Sequence, residues 1–503
     1  MTRSRQTGGR SPSAEVRAKI GHPVIDGDGH LIEVEPILID YIKRVGGQGM
    51  VDSYVDMVKD GKAWGWYDMS WEQRRRTATK RPPFYLIPAR NTHDRATGMI
   101  PRLMYERLDE FGVDVSIVYP SQGLLFLGLD NTEMRRGICR AMNMMHADLY
   151  GPYKDRLIVP AMVPVYTPEE AVEELEFAVK TLGFKGMVME GNVRRPITEE
   201  DRKAAALTRG GLAYWIDPLA FESQYDYDPL WRKCVELGVA PTCHSGTMGW
   251  PNRTSISSYV YNHLGHFAAA GEAFCKAMFM GGVTKRFPSL RVAFLEGGVG
   301  WACSLYNDLF EHWEKRNATA LRENLAPETI DRKLLVDLVA KYGDAPHQGA
   351  LDQLRTTDGY YWTSRPEKPE DLEEFALSGI TRKQDIVDRF IPNFFFGCEA
   401  DDRMVPWAFA DKVNRRGAKL NAIFSSDISH WDVEEARETL AESYEFVEHG
   451  QMSDEDYKDF VFRNSVRLHT GMNPNFFKGT PIEAEAAKVV AEDRARAPKV
   501  AAE

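Results

Sequence analysis

From about residue 21 to residue 480 the chain repeats one pattern. A short apolar run stops abruptly at polar or glycine-containing positions and is followed by a stretch with apolar residues every three or four places. The apolar runs lie at 24–30, 113–121, 157–165, 186–192, 239–246, 291–298, 393–400 and 422–430. Runs apolar on both faces are what parallel strands read as when helices cover the sheet on each side. A representative connection shows the helical half of the unit. Thr167 can N-cap, Pro168 suits the first helical position, Glu170 completes a capping box and Gly183 stops the helix. Ala171, Leu175, Ala178, Val179 and Leu182 then form one apolar face. Eight alternations predict an α/β chain folded as a (β/α)8 TIM barrel.

Three stretches break the repeat, at about 45–100, 193–225 and 318–385. Each is too long for a barrel loop and carries its own helical pattern with Trp, Tyr and Pro. They are read as large helical insertions that fence the barrel mouth or build a subunit interface. They account for a length of 503 residues where a bare barrel needs roughly 250. Residues 1–20 are expected to be a disordered arm, 21–480 the barrel with its insertions, and 481–503 a tail.

A hydrophobic content of 43% with 27% charged residues is that of a soluble globular protein with a large core. The net charge of -11, with no Lys/Arg-rich face, excludes nucleic acid as the expected partner. The cysteines at 139, 234, 243, 275, 303 and 398 form no close pair, so reduced buried thiols are expected rather than a disulfide scaffold. No signal-peptide apolar stretch and no membrane-spanning run is seen, and a cytoplasmic location is expected. The expected partners are a small-molecule substrate and either copies of the chain or a related subunit.

Catalytic groups of such barrels sit at the C-terminal ends of the strands. Strand one ends in Asp28 and His30, strand five in His244, strand six in Glu296 and strand eight in Asp427. Asp28 and His30, two residues apart on an extended segment, share a face. Taken alone, each has a plainer reading: a turn aspartate, a core histidine, a helix N-cap. Together Asp28, His30, His244 and Asp427 make a mixed nitrogen and oxygen ligand set without thiolate, suited to Zn, Mn or Fe.

At this point the chain resembles the amidohydrolase-related branch that includes the aromatic-acid decarboxylases related to aminocarboxymuconate semialdehyde decarboxylase. The resemblance is carried by residues 25–30, 242–246, 287–291, 295–301 and 426–432. It implies that Asp28, His30, His244 and Asp427 are metal ligands, that Asp427 also carries a proton, and that His244 and Glu296 join it as catalytic groups. Two departures stand out. Many relatives have His-x-His on strand one where this chain has Asp28, and the strand-six histidine is replaced by Glu296. The added anionic oxygen favours Mn or Fe over Zn and leaves room for a second ion. No lysine stands at the end of strand four, since Lys185 precedes it and Glu190 lies near its end. A second ion would therefore need carboxylates such as Glu296, with His263 and His266, which are spaced to share a helical face. His430, Trp431 and Glu190 are the expected substrate or supporting contacts.

One or two divalent ions here would serve hydrolysis or non-oxidative decarboxylation of a small, carboxylated or cyclic substrate. Trp64, Trp66, Tyr67, Tyr85, Tyr214 and Trp215 are candidates for an apolar wall around it. Two other classes compete: a dinuclear Fe or Mn-Fe oxygenase on the same scaffold, and a non-catalytic partner subunit. No Gly-x-Gly-x-x-Gly fingerprint, Walker lysine or Gly-x-Ser-x-Gly elbow is present, so nucleotide and covalent serine chemistry have no support.

Overall fold

The computed structural model describes residues 10–59, 65–83, 88–197, 214–247, 250–357, 359 and 368–496. The apolar runs form β1 (Ile25–Leu31), β2 (Val115–Pro120), β3 (Leu157–Ile158, resuming at Ala161–Met162), β4 (Met187–Met189), β5 (Pro241–Cys243), β6 (Val292–Phe294), β7 (Phe394–Glu399) and β8 (Asn421–Ser425). All neighbouring pairs are parallel, and their order around the sheet follows the chain. Strand β3 changes partner midway. Leu157 and Ile158 pair with β2, whereas Ala161 and Met162 pair with β4. Pro160 at the break has no N–H to donate to either neighbour.

Closure between β8 and β1 makes the sheet a barrel. The Asp427 N–H donates to the Asp28 carbonyl (3.0 Å) and the His30 N–H to the Ile428 carbonyl (3.1 Å). Gly27 permits this approach, since a Cβ there would lie 2.3 Å from Ile423 Cγ2; Gly29 leaves room for the Asp26 carboxylate, whose Oδ2 a Cβ would meet at 2.4 Å. Below the mouth the buried Asp26 carboxylate accepts from Ser116 Oγ (2.7 Å), the Ser426 N–H (2.9 Å) and Ser426 Oγ (2.8 Å), tying β1, β2 and β8 to one another.

The sampled connection forms helix Pro168–Phe177 on the expected face, with Thr167 as N-cap and Gly183 in the left-handed conformation. Glu170 does not close a capping box. Its carboxylate accepts instead from the Tyr166 N–H and pairs with the buried Arg135, a charged partner that a return bond to Thr167 cannot match. Around 193–225 the described residues form an antiparallel ribbon, Val193–Pro196 with Tyr214–Asp217, and not a helix. Alternate burial along Val193–Pro196 explains why: Arg195 points inward and meets buried Asp217 at 2.9 Å. The 318–385 insertion is helical, as expected, at Ala318–Asn324 and Arg332–Tyr342.

The expected disordered arm contains helix Pro12–Ile20. Ser11 caps it, Arg17 holds Asp114 at 2.7 Å, and Ser13 is buried. The expected tail contains helix Glu483–Arg496, anchored by buried Ala486 and Val489 and by an Arg467–Asp493 pair at 2.9 Å. Both segments are polar overall but carry a few well-placed apolar or ionic anchors. The six cysteines are free and buried. No described helix is long and apolar enough to cross a membrane.

The barrel seam yields a stability prediction. Asp26→Ala removes four hydrogen bonds to one buried carboxylate, the longest from the Asp28 N–H at 3.4 Å, and should lower the unfolding free energy by about 3 kcal/mol or more in urea titration. A loss below about 1 kcal/mol would mean that the seam holds without it.

Candidate metal centre

The strand ends bring the candidate ligands to one place. Strand β1 carries a bulge between Asp26 and Gly29, one residue longer than its β2 partner, which re-aims the side chains that follow. His30 Nε2 lies 3.5 Å from Asp28 Oδ1, 3.3 Å from Asp427 Oδ1 and 3.3 Å from His244 Nε2. His244 Nε2 lies 2.9 Å from Glu296 Oε2. His430 Nδ1 lies 2.7 Å from Asp427 Oδ1 and 3.6 Å from Glu296 Oε1, and its ring stacks on His30 at 3.8 Å. Ligand atoms of Asp28, His30 and His244 form one group within 4.8 Å of one another. Those of His30, Glu296, Asp427 and His430 form a second group sharing His30.

The backbone at these positions is bent out of the ordinary. Glu296 (φ 56°), Asp427 (φ 50°) and Ser429 (φ 81°) adopt left-handed conformations without being glycine. Each costs on the order of 1–2 kcal/mol. The surrounding barrel has to hold them there.

Several buried polar atoms of this cluster lack a hydrogen-bond partner: both oxygens of Asp28, Oδ2 of Asp427, and Nδ1 of His30 and of His244. Carboxylates offer only lone pairs, and imidazoles facing each other through Nε2 can supply few protons, so acceptors outnumber donors. A cation answers that imbalance, and the donor set fits a divalent metal. Burial raises Asp28 well above the carboxylate range, with Glu296, Asp427 and Asp26 adding to it against the pull of His244. Burial likewise raises Asp427, against His430. His30 falls well below its ordinary value through burial, with His430 and His244 beside it. For Glu296, burial is outweighed by His244 and His430, which hold its carboxyl well below the usual range. Burial alone would lower His430; Asp427 and Glu296 reverse that and raise it well above 6.5.

His263 and His266 do not enter either ligand group among the described residues. They were expected to share a helical face, but the helix breaks between Tyr259–His263 and His266–Met280, where Gly265 turns left-handed (φ 63°). His266 instead packs against Phe267 at 3.9 Å and under Gly246, and burial holds it neutral, at about 3. Glu190 lies over Gly128, outside both groups, and burial lifts it to about 7. Trp431 is partly buried and bonded to Tyr259. Lys185 is turned away and donates to the Phe476 carbonyl. Trp66 is part of a small packed cluster rather than a pocket wall: it donates to the Ile256 carbonyl (2.8 Å) with Arg74 3.5 Å over its ring. Tyr67 is half exposed, Tyr214 and Trp215 lie on the ribbon, and Trp64 and Tyr85 fall outside the described residues.

Two further residues belong to this neighbourhood. Tyr119, at the end of β2, is buried with its ring 6.4 Å from His30 and 6.2 Å from His244. Glu399, the last residue of β7, is raised to about 10 by burial and by the charges of Asp427, Glu296, Asp432 and Asp401. An acidic residue three places after the apolar run Phe394–Phe396, within the predicted strand 393–400, was the available signal for Glu399. Nothing in the sequence marked Tyr119.

Comparison with known proteins adds the following. A family model described as Amidohydrolase matches residues 101–331, slightly under half of the chain. An amidohydrolase from Mycobacterium avium subsp. paratuberculosis K-10 is similar over 89% of this chain and 99% of its own, at 16% identity and a TM-score of 0.49. A dihydroxybenzoic acid decarboxylase from Polaromonas sp. JS666, with bound manganese and 2-nitroresorcinol, is similar over 89% of this chain and 97% of its own, at 15% identity and a TM-score of 0.48. A 5-carboxyvanillate decarboxylase from Novosphingobium aromaticivorans DSM 12444, complexed with manganese, covers 90% and 97% at 16% identity and a TM-score of 0.45. The matched residues 101–331 supply strands β2 to β6 together with His244 and Glu296.

Proposed function

We propose that the protein is a metal-dependent enzyme that acts on a small, carboxylated or cyclic substrate as a non-oxidative decarboxylase or a hydrolase. The observation that carries this reading is the convergence of Asp28, His244 and Asp427 on His30, in two ligand groups that share His30, with both carboxylates buried and neither Asp28 oxygen hydrogen-bonded. Those four side chains would hold the ion, which when bound polarises a carbonyl or carboxylate and acidifies water. Asp427 and His430 hold a proton between Oδ1 and Nδ1 at 2.7 Å. His430, whose side chain is 15% exposed, is the member of the cluster that reaches solvent, so this pair can deliver a proton to substrate carbon or take one from water and return it. Glu296, between His244 and His430, orients both rings.

The second ligand group supports one competing reading, a dinuclear Fe or Mn-Fe oxygenase in which Glu296, Asp427 and His430 share a further ion with His30. A non-catalytic subunit is the third. We further place a contact with a copy of the chain or a related subunit on helix Arg332–Tyr342, which buries none of its residues and exposes Leu334, Leu338 and Tyr342. We place the protein in the cytoplasm, where its free cysteines stay reduced.

Elemental analysis of anaerobically purified protein separates the readings. About one Mn or Zn per chain supports hydrolysis or decarboxylation, two metals including Fe together with oxygen consumption would replace it with oxygenation, and no stoichiometric metal would leave the non-catalytic subunit. Asp28→Ala and His244→Ala should each reduce bound metal at least about tenfold after dialysis; metal retained in both would remove these residues from the ligand set. Asp427→Asn should lower turnover, followed as carbon dioxide release from hydroxylated benzoates or as hydrolysis, by at least about 100-fold without a change in melting temperature. Unaltered turnover in that variant would discard the proton-carrying role.

A further inference from the structure

His30 and His244 come to the metal centre from different strands, and neither ring is held by the device that usually orients a metal-binding histidine. In most such residues the ring nitrogen turned away from the ion donates to a carboxylate, a carbonyl or water. Here the two Nε2 atoms face each other at 3.3 Å, and Nδ1 of each ring lacks a hydrogen-bond partner. The Pro120 carbonyl lies near the His30 ring without completing a bond to Nδ1. Packing therefore has to fix the two rotamers.

The side chain that packs against both rings is Tyr119. It pairs with His30 across β1 and β2, so the two side chains point to the same face of the sheet, into the barrel. Its ring centroid lies 6.4 Å from that of His30 and 6.2 Å from that of His244, tilted by 48° and 46°, while the two histidine rings cross at 90° and 5.1 Å. Aromatic rings at such separations and tilts attract one another. Other neighbours reach one histidine each: His430 stacks on His30, and Phe267 meets His244 edge-on. Tyr119 is itself anchored. It is completely buried, and its hydroxyl meets Thr242, two residues before His244 on β5. Thr242 Oγ1 donates to the Met187 carbonyl on β4 at 2.5 Å, so it accepts from Tyr119. One phenol thus links β1, β2, β4 and β5 beneath the ligands.

We propose that Tyr119 is a positioning residue of the metal centre, whose ring sets the rotamers of His30 and His244 and with them the geometry offered to the ion. This role rests on the metal-dependent reading above. It requires no contact between Tyr119 and the ion or the substrate.

The test is titration of the full-length protein with Co(II), whose visible absorption bands report coordination geometry as well as occupancy. Tyr119→Leu, which removes the ring, should weaken Co(II) binding at least about tenfold and change the shape of the bands. Tyr119→Met, which fills the gap with a flexible chain, carries the same expectation should the Leu variant not fold. Tyr119→Phe keeps the ring and should stay within about threefold of wild type with unaltered bands. Val115→Ala, a packing loss in the same strand about 13 Å below, should leave affinity and bands unchanged even where it lowers the melting temperature as much as Tyr119→Leu. Wild-type affinity and bands in the ringless variants would overturn the positioning role, as would equal losses in Tyr119→Phe or in Val115→Ala. A wild type that takes up neither Co(II) nor Mn(II) would overturn the metal-dependent reading and this role with it, a result distinct from a wild type that binds metal beside a Tyr119→Leu variant that binds it equally well.

Discussion

The approach of β1 to β8 is the constraint on which the rest of the molecule depends. Asp28 and Asp427 lie at opposite ends of the chain and are neighbours only because the Asp427 N–H reaches the Asp28 carbonyl. That contact in turn requires Gly27, which lets the two strands come within side-chain distance, and Asp26, whose carboxylate gathers Ser116 and Ser426. The segment around Asp28 therefore has two jobs. Its glycines and Asp26 close the barrel, while Asp28 and His30 use the bulge at the same place to enter the mouth. Closing the sheet and presenting the ligands are thus one structural event.

Such a site is expensive to assemble. Left-handed backbone at Glu296, Asp427 and Ser429 and a set of buried carboxylates with too few donors both disfavour the folded state. They are tolerated because strands packed on both faces leave the side chains no alternative. Opposed shifts follow from the same crowding: burial pushes Asp28 and Asp427 up, whereas Glu296, placed between two histidines, is held below the usual carboxylate range. Groups of one chemical type are thus driven apart by position.

The strands were legible because each is apolar on both faces, and the eight runs read from the pattern are the eight staves found. Strand-end residues could be read by the same logic, since an Asp, Glu or His directly after such a run has nowhere to point but the mouth. What escaped depended on contacts between distant segments. The bulge in β1 is invisible without its partner strand. His263 and His266 have helical spacing, yet Gly265 breaks the helix between them. Helix Pro12–Ile20 looks like a polar arm until Arg17 finds Asp114 and Ser13 is buried. The ribbon at 193–225 turns on a buried Arg195–Asp217 pair that reads as surface charge in sequence.

Glu296 shows why one strand-end residue can govern more than one property of the mouth. Its carboxylate touches His244 on one side and approaches His430 on the other, and the same side chain lines a cavity whose wall includes Glu399 and Asp402. A histidine at this position would present a neutral or positive ring to that cavity. A glutamate held well below the usual carboxylate range presents a negative charge instead, and it lies between the candidate ligand groups and that wall. The residue type at the end of β6 thus decides the sign of the charge at this boundary. It does so without altering the barrel that positions it.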